Sequence, residues 1–263
     1  KNLYNDGAGG LDAYGARSVA VTPDYLTNWK VAVGDLTGNG ADDTVLVYGR
    51  QVHVLRTPLT DPVSPSLNTF TELDIVLPGE EYLSGVVIAD FDQDGENDFA
   101  TYNGKLRIYS NDGGGWPFTL VESLDTQTTG GQLTLGDVNG DGNQDIILTD
   151  ATRVILLEIL GGQVTGSSVL LHTADMPMPT FGDIDGDGDE DIVVFDMHDY
   201  EVARRTGPSS FSMESPVVGG PATHLIDVDL DGDLDGMCCG GGCCWTSYDR
   251  NNRHSIFRLS MND

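Results

Sequence analysis

The sequence predicts an all-β fold, a β-propeller of about five four-stranded blades, and three observations carry the prediction. An acidic loop with a glycine at a fixed place occurs five times. The first positions of the copies are separated by 55, 47, 46 and 44 residues. Short apolar, β-branched runs stand beside the copies, and such runs read as strands. A period of this size marks stacked or radial supersecondary units, and four short strands in roughly 45 residues is the size of one propeller blade.

The fourth copy shows the loop most clearly. Counted from Asp183, aspartates stand at positions one, three, five and nine (Asp183, Asp185, Asp187, Asp191), with Gly188 at position six. Alternate carboxylates around a tight glycine turn form a calcium loop. A hard cation takes about six to eight oxygens, and only a curled backbone brings neighbouring side chains to one point. The opening resembles an EF-hand, but position twelve is Val194 rather than a bidentate Glu, and an apolar strand run follows instead of a helix. Pro177 and Pro179 argue against a helix leading in. The unit is therefore a strand–loop–strand hairpin closed by Asp191.

The other copies follow the same numbering. Asp35, Thr37, Asn39 and Asp43 form the first loop, and Asp90, Asp92, Asp94 and Asp98 the second. Asp137, Asn139, Asp141 and Asp145 form the third, and Asp227, Asp229, Asp231 and Asp235 the fifth. Position seven, where calcium loops use a main-chain carbonyl, holds Ala41, Glu96, Asn143, Asp189 and Asp233. The first loop has only two acids at the key positions, with Asp42 adjacent, so weaker binding is expected there. Four to five Ca²⁺ per chain is the expected load.

Each repeat is read as four strands. Runs at 31–33, 86–88, 133–135 and 225–226 enter the loops, and runs at 44–48, 99–102, 146–149 and 192–195 leave them. Their unbroken apolar character suits burial on both faces near the axis. Third strands are expected at 51–57, 105–110, 153–159, 200–205 and 243–248. More polar fourth strands, read as exposed edges, are expected at 71–77, 118–124, 167–172, 211–217 and 256–261. The repeats then run approximately 29–82, 83–130, 131–176, 177–220 and 221–263.

From about residue 30 to 262 the five loops and their strands resemble the FG-GAP/VCBS repeats of integrin α-subunit propellers and of many secreted microbial proteins. The stretch from Gly136 to Ile146 is the nearest match. The resemblance implies a calcium-bearing β-propeller. Proteins of this fold include adhesins, lectins, hydrolases and lyases, so fold alone does not give function.

Net charge is −29 with only 13 basic residues, which excludes the basic footprint that nucleic acid or an anionic membrane surface requires. Seventeen aspartates occupy positions one, three, five and nine of the loops. Five divalent cations would return ten positive charges, so the metal is expected to be a structural part whose removal costs stability. No apolar stretch reaches the ~18 residues of a spanning helix. The chain opens at Lys1 without a signal peptide, as expected of a mature or excised segment.

Residues 1–28 lack a calcium loop. They close the ring through a strand at 17–21, form a degraded sixth repeat, or contact a neighbouring domain; closure is favoured. Residues 57–68, with Pro58, Pro62 and Pro65, read as a surface insertion. Trp29, Trp116 and Trp245 are expected to pack between blades rather than stack on a sugar. Cys238, Cys239, Cys243 and Cys244 flank three glycines. Pairing of Cys239 with Cys243 and of Cys238 with Cys244 across a tight hairpin is favoured, with links to another subunit or a cramped zinc site as alternatives. Disulfides and calcium both point to an oxidising, extracellular or cell-surface setting.

Catalysis has little support: there is no G-x-S-x-G or H-E-x-x-H, and the five histidines are scattered. His198 reads as a solvated turn residue, and Arg204-Arg205 as a pair that offsets neighbouring acids. The expected function is non-enzymatic: an extracellular, calcium-stabilised recognition or adhesion module for a glycan or protein ligand. A self-associating structural subunit of a surface assembly is the alternative, and a polysaccharide-active enzyme the second alternative.

Overall fold

The computed structural model of the 263-residue chain describes residues 2–5, 11–14, 30–49, 51–56, 71–76, 83–113, 117–128, 131–172, 177–195, 199–214, 217–218, 224–226, 235–239 and 254–258. Among these residues every regular element is a strand. β1 (Asn2–Asn5) and β2 (Leu11–Tyr14) form an antiparallel pair. The expected strand at 17–21 and all three tryptophans lie outside the described residues.

The remaining strands form successive antiparallel meanders. β3 (Lys30–Gly34), β4 (Asp43–Tyr48), β5 (Gln51–Arg56) and β6 (Thr71–Val76) make one sheet in chain order. β7 (Gly85–Ala89), β8 (Asp98–Tyr102), β9 (Lys105–Ser110) and β10 (Thr119–Asp125) make the next. β11 (Gln132–Gly136), β12 (Asp145–Thr149), β13 (Arg153–Leu160) and β14 (Gln163–His172) make the third. The fourth holds β15 (Met178–Gly182), β16 (Asp191–Phe195), β17 (Asp199–Gly207) and β18 (Ser210–Met213), with β19 (Val217–Val218) added beside β17. β20 (His224–Ile226), β21 (Asp235–Cys239) and β22 (His254–Arg258) form the last. These sheets are the blades of a β-propeller.

Successive side chains of a strand point to opposite faces, so a strand apolar at every position needs cover on both sides. β8, β12 and β16, apolar over most of their length, have such cover and are buried throughout, with the opening aspartates and Thr101 and Thr149 included. Ile146 and Leu148 join Val87, Tyr102 and Ile108 in the core shared with the second blade. Ile147, between them, joins Ile192, Val194 and Ala203 of the fourth. The first and second blades meet through Leu36, Val45, Val54, Leu83, Val86 and Phe99, where Phe99 stacks on Tyr109 with ring centroids 4.8 Å apart.

Strands entering the loops are less buried than their apolar sequences predict. β3, β11 and β15 carry mostly half-buried side chains, and Val31 and Val33 are exposed. Each is a sheet edge, paired on one side only. β7, in contact with both β3 and β11, is the more covered entering strand. The polar outer strands β10 and β18 are largely exposed, in line with their sequences.

The last blade differs in one respect. The third place was expected for residues 243–248, which lie outside the described residues. β22 takes that place directly against β21, with Cys238 opposite Ser255 and Cys239 opposite His254. Ile256 and Phe257 give β22 the β-branched and aromatic character that suits a strand.

Candidate metal centre

Each acidic loop is the eight-residue connection between the first two strands of a blade, and its side chains organise its own backbone. The position-one aspartate receives the loop's N–H groups. In the third loop, Gly140 and Asp141 donate to Asp137 Oδ1 at 2.7 and 3.1 Å, and Gly142 donates to Oδ2 at 2.9 Å. The fourth loop repeats this with Gly186, Asp187 and Gly188 donating to Asp183. Asp90 accepts from Gln93 and Gly95, and Asp35 from Thr37, Asn39 and Gly40.

Positions three and five behave alike. Asp92, Asn139 and Asp185 accept the N–H of position five, and Asn39, Asp94, Asp141 and Asp187 accept that of position seven, held by Ala41, Glu96, Asn143 and Asp189. These bonds use Oδ1; where the acceptor is an aspartate, the second carboxylate oxygen is left for another partner, whereas Asn39 and Asn139 have only the one oxygen. The glycine at position six has φ between 82° and 95° in the four described loops, with open space where a Cβ would stand. Glycine is needed there for its backbone conformation, not for room.

Position nine has a further role that its place in the spacing did not show. Asp43, Asp98, Asp145 and Asp191 are at most 1% exposed. Each accepts the N–H of position two through Oδ2: Leu36, Phe91, Val138 and Ile184 donate at 3.0–3.1 Å. Through Oδ1, Asp98, Asp145 and Asp191 accept the N–H of Asn111, Ile159 and Arg205 at the third strand. One carboxylate thus fastens the loop, the second strand and the third strand together. The donors are main-chain N–H groups, which every residue but proline carries, so no residue type could reveal them.

The carboxylates are also crowded. Oxygens of Asp90, Asp92 and Asp98 lie within 4.8 Å of one another, as do those of Asp183, Asp185 and Asp187. Asp191 stands outside the latter group. Burial pushes the Asp98 carboxyl up to about 7, and the charges of Asp92 and Asp90 add to the effect against the opposing N–H bonds. Asp145 is raised to about 6, again chiefly by burial, with Asp141 and Asp137 adding to it. Among the described residues, no cation offsets the charge of either carboxylate.

A divalent cation fits the donor set. The oxygens are hard, they converge, and in the first loop the hydroxyl Oγ1 of Thr37, at position three, is buried without a hydrogen-bond partner among the described residues. Asp227, Asp229, Asp231 and Asp233 of the fifth loop lie outside the described residues; Asp235 opens β21 opposite Ile226. Cys238 and Cys239 lie in β21, while Cys243 and Cys244 lie outside the described residues.

Neighbouring loops touch. Asn97 Nδ2 donates to the Asp35 carbonyl at 2.9 Å, and Asn111 Nδ2 to the Leu36 carbonyl at 2.8 Å, joining the first two blades. Arg205 of β17 pairs with Asp189 and lies over Gly140 of the third loop, where a Cβ would collide with its guanidinium.

Residues 90–148, which contain the second and third loops, match the family model of an FG-GAP-like repeat. A comparison with curated proteins finds no match. Among solved structures, the chain is similar to a lectin of Agrocybe aegerita described for its specific recognition of non-reducing terminal N-acetylglucosamine. The TM-score is 0.59 at 19% identity, covering 80% of this chain and 60% of the lectin. A Photorhabdus luminescens Tc holotoxin pore (TM-score 0.42, 16% identity, 90% of this chain and 12% of that one) is a weaker likeness. So is a humanized Chaetomium thermophilum Polycomb Repressive Complex 2 (TM-score 0.46, 16% identity, 78% and 44%). The chain therefore spans less than two thirds of each of these structures. The repeat match and the lectin likeness define the class of fold: an all-β propeller carrying an FG-GAP-like repeat.

Proposed function

We infer that the chain is an extracellular, calcium-stabilised recognition module whose ligand is a glycan. The observation that carries the calcium part is the repeated hydrogen-bond pattern of the loops. In each, backbone N–H groups orient the oxygens of successive side chains, and in the second and fourth loops three carboxylates converge. Calcium would be held by Asp90, Asp92, Asp94 and Asp98 in the second loop and by Asp137, Asn139, Asp141 and Asp145 in the third. It would supply positive charge and rigidity, with no chemical step, and the protein is not an enzyme in this reading. FG-GAP repeats are often calcium-binding, which supports the assignment.

The glycan part draws on the shared fold of the lectin, whose ligand belongs to that protein. Among the described residues no helix is long and apolar enough to cross a membrane. A glycan array probed in calcium and again in EDTA tests the proposal. Selective binding that is lost with EDTA supports it. Binding to no glycan in calcium, by a chain shown to be folded, overturns the glycan assignment.

A further inference from the structure

One residue of the third strand reaches towards position three of the loop, and its identity changes from blade to blade. It directly precedes the strand residue whose N–H donates to the position-nine aspartate. In the second blade it is Ser110, whose hydroxyl donates to Asp92 Oδ2 at 2.9 Å. In the third it is Glu158, whose carboxylate lies against Gly166 on β14 instead. In the fourth it is Arg204.

Arg204 Nη1 stands 3.0 Å from Asp185 Oδ2 and 3.9 Å from Asp191 Oδ2, while its Nε pairs with Glu214. Asp185 is a member of the converging group Asp183, Asp185 and Asp187. A guanidinium is charged at any ordinary pH, and its planar donors match carboxylates well. Here burial opposes the charge, but Glu214 and Asp185 outweigh it and hold the group protonated. The fourth loop is among the richest in aspartate, yet it has a cation supplied by its own chain, with Arg205 on Asp189 as a second.

We propose that Arg204 is a resident counter-ion of the fourth loop, which makes this loop a weaker divalent-cation site than the second and third. The inference rests on the calcium reading above. A divalent ion entering the fourth loop must displace Nη1 from Asp185 and then sit within a few ångströms of a like charge. In the second loop it meets only a hydroxyl; in the third no side chain comes from this position, and the Arg205 guanidinium that packs on Gly140 is already paired with Asp189. The same guanidinium lets the fourth loop keep its shape when the solution holds no calcium.

The test is calorimetric titration of the full chain, stripped of metal, with calcium chloride. Wild type is compared with Arg204→Gln, Arg204→Lys, Asp187→Asn and the Arg204→Gln/Asp187→Asn double variant, each checked for folding by its melting curve. Arg204→Gln should tighten one class of site about tenfold, the size of effect a nearby like charge has on an ionic equilibrium. Arg204→Lys, which keeps the charge, should leave that class weak. Adding Asp187→Asn should erase the gain and so place it in the fourth loop. Identical isotherms for wild type and Arg204→Gln, with calcium still binding elsewhere, overturn this inference alone. Absence of calcium binding in every variant overturns the calcium reading and this inference with it.

Discussion

Asn111 donates its main-chain N–H to Asp98 at 2.8 Å while its side-chain amide donates to the Leu36 carbonyl of the preceding blade. The same amide reaches the Asn97 carbonyl at 3.1 Å. One buried residue therefore links the clamp of its own hairpin to the loop of its neighbour. Replacing it with alanine keeps the first bond and deprives one buried and one half-buried carbonyl. Asn111→Ala should cost about 2–3 kcal/mol in denaturant unfolding. A loss below about 0.5 kcal/mol would show that the two blades do not depend on this bridge.

Two of the position-nine aspartates, Asp98 and Asp145, make stability depend on pH in an unusual direction. Asp98 titrates near 7 and Asp145 near 6 in the folded chain, above the ordinary carboxylate value of 3.8. The folded state therefore holds protons that the unfolded state releases, and folding weakens as pH rises through this window. The contribution is most favourable below the ordinary value and is lost by about pH 7. In EDTA the melting temperature should fall between about pH 4 and pH 7, and saturating calcium should flatten the fall. A melting temperature that rises over that range in EDTA would contradict the effect of burial on these groups.

Removing a ligand from the third loop should remove one ion. Asp141→Ala leaves the hairpin clamp at Asp145 intact and takes away one of the candidate ligands. Calcium stoichiometry should drop by one and the melting temperature in calcium should fall. Chelation should then produce a smaller further loss than in wild type. An unchanged stoichiometry would remove the third loop from the set of sites.

Backbone conformation gives a prediction independent of metal. Position four of the loop is left-handed in all four described copies. Gly38, Gly140 and Gly186 adopt it freely, whereas Gln93 holds φ 66° without that freedom. Gln93→Gly should stabilise the chain by about 1 kcal/mol, the usual cost of a side chain in that region. Gly95→Ala, at φ 95° with nothing near its Cβ, should destabilise it by about 1–2 kcal/mol through conformation alone. Thermal unfolding in calcium and in EDTA should show the same sign for both variants.

Much of this could be read from residue types because aspartate and glycine report directly on loop geometry. The run Ile146–Leu148 likewise reported a strand covered on both faces, since these three residues offer no polar side chain to turn outward. Arg204 was legible only as one of two cations among acids. Its place opposite Asp185 depends on strand register, which brings residues 19 apart in sequence to one loop. The clamp donors at Asn111, Ile159 and Arg205 were hidden because any residue but proline carries an N–H. The half-burial of β3, β11 and β15 was hidden as well, because apolar composition does not say which strand forms a sheet edge.

The reach of the position-nine carboxylate divides each blade into a fixed part and a free part. Its partners lie seven residues before it and 13 or 14 after it, so the loop and the second and third strands are stitched into one register. Beyond that span the chain is released, and the connection from third to fourth strand varies. It is 14 residues between β5 and β6, eight between β9 and β10, and two in the third and fourth blades. Alternating strand direction puts these connections at the same end of the sheets as the acidic loops. A constant mineral-like seat is thus ringed by segments whose length and chemistry can change from copy to copy without loosening it. Such a rim is where a lineage of these repeats has room to acquire new ligands.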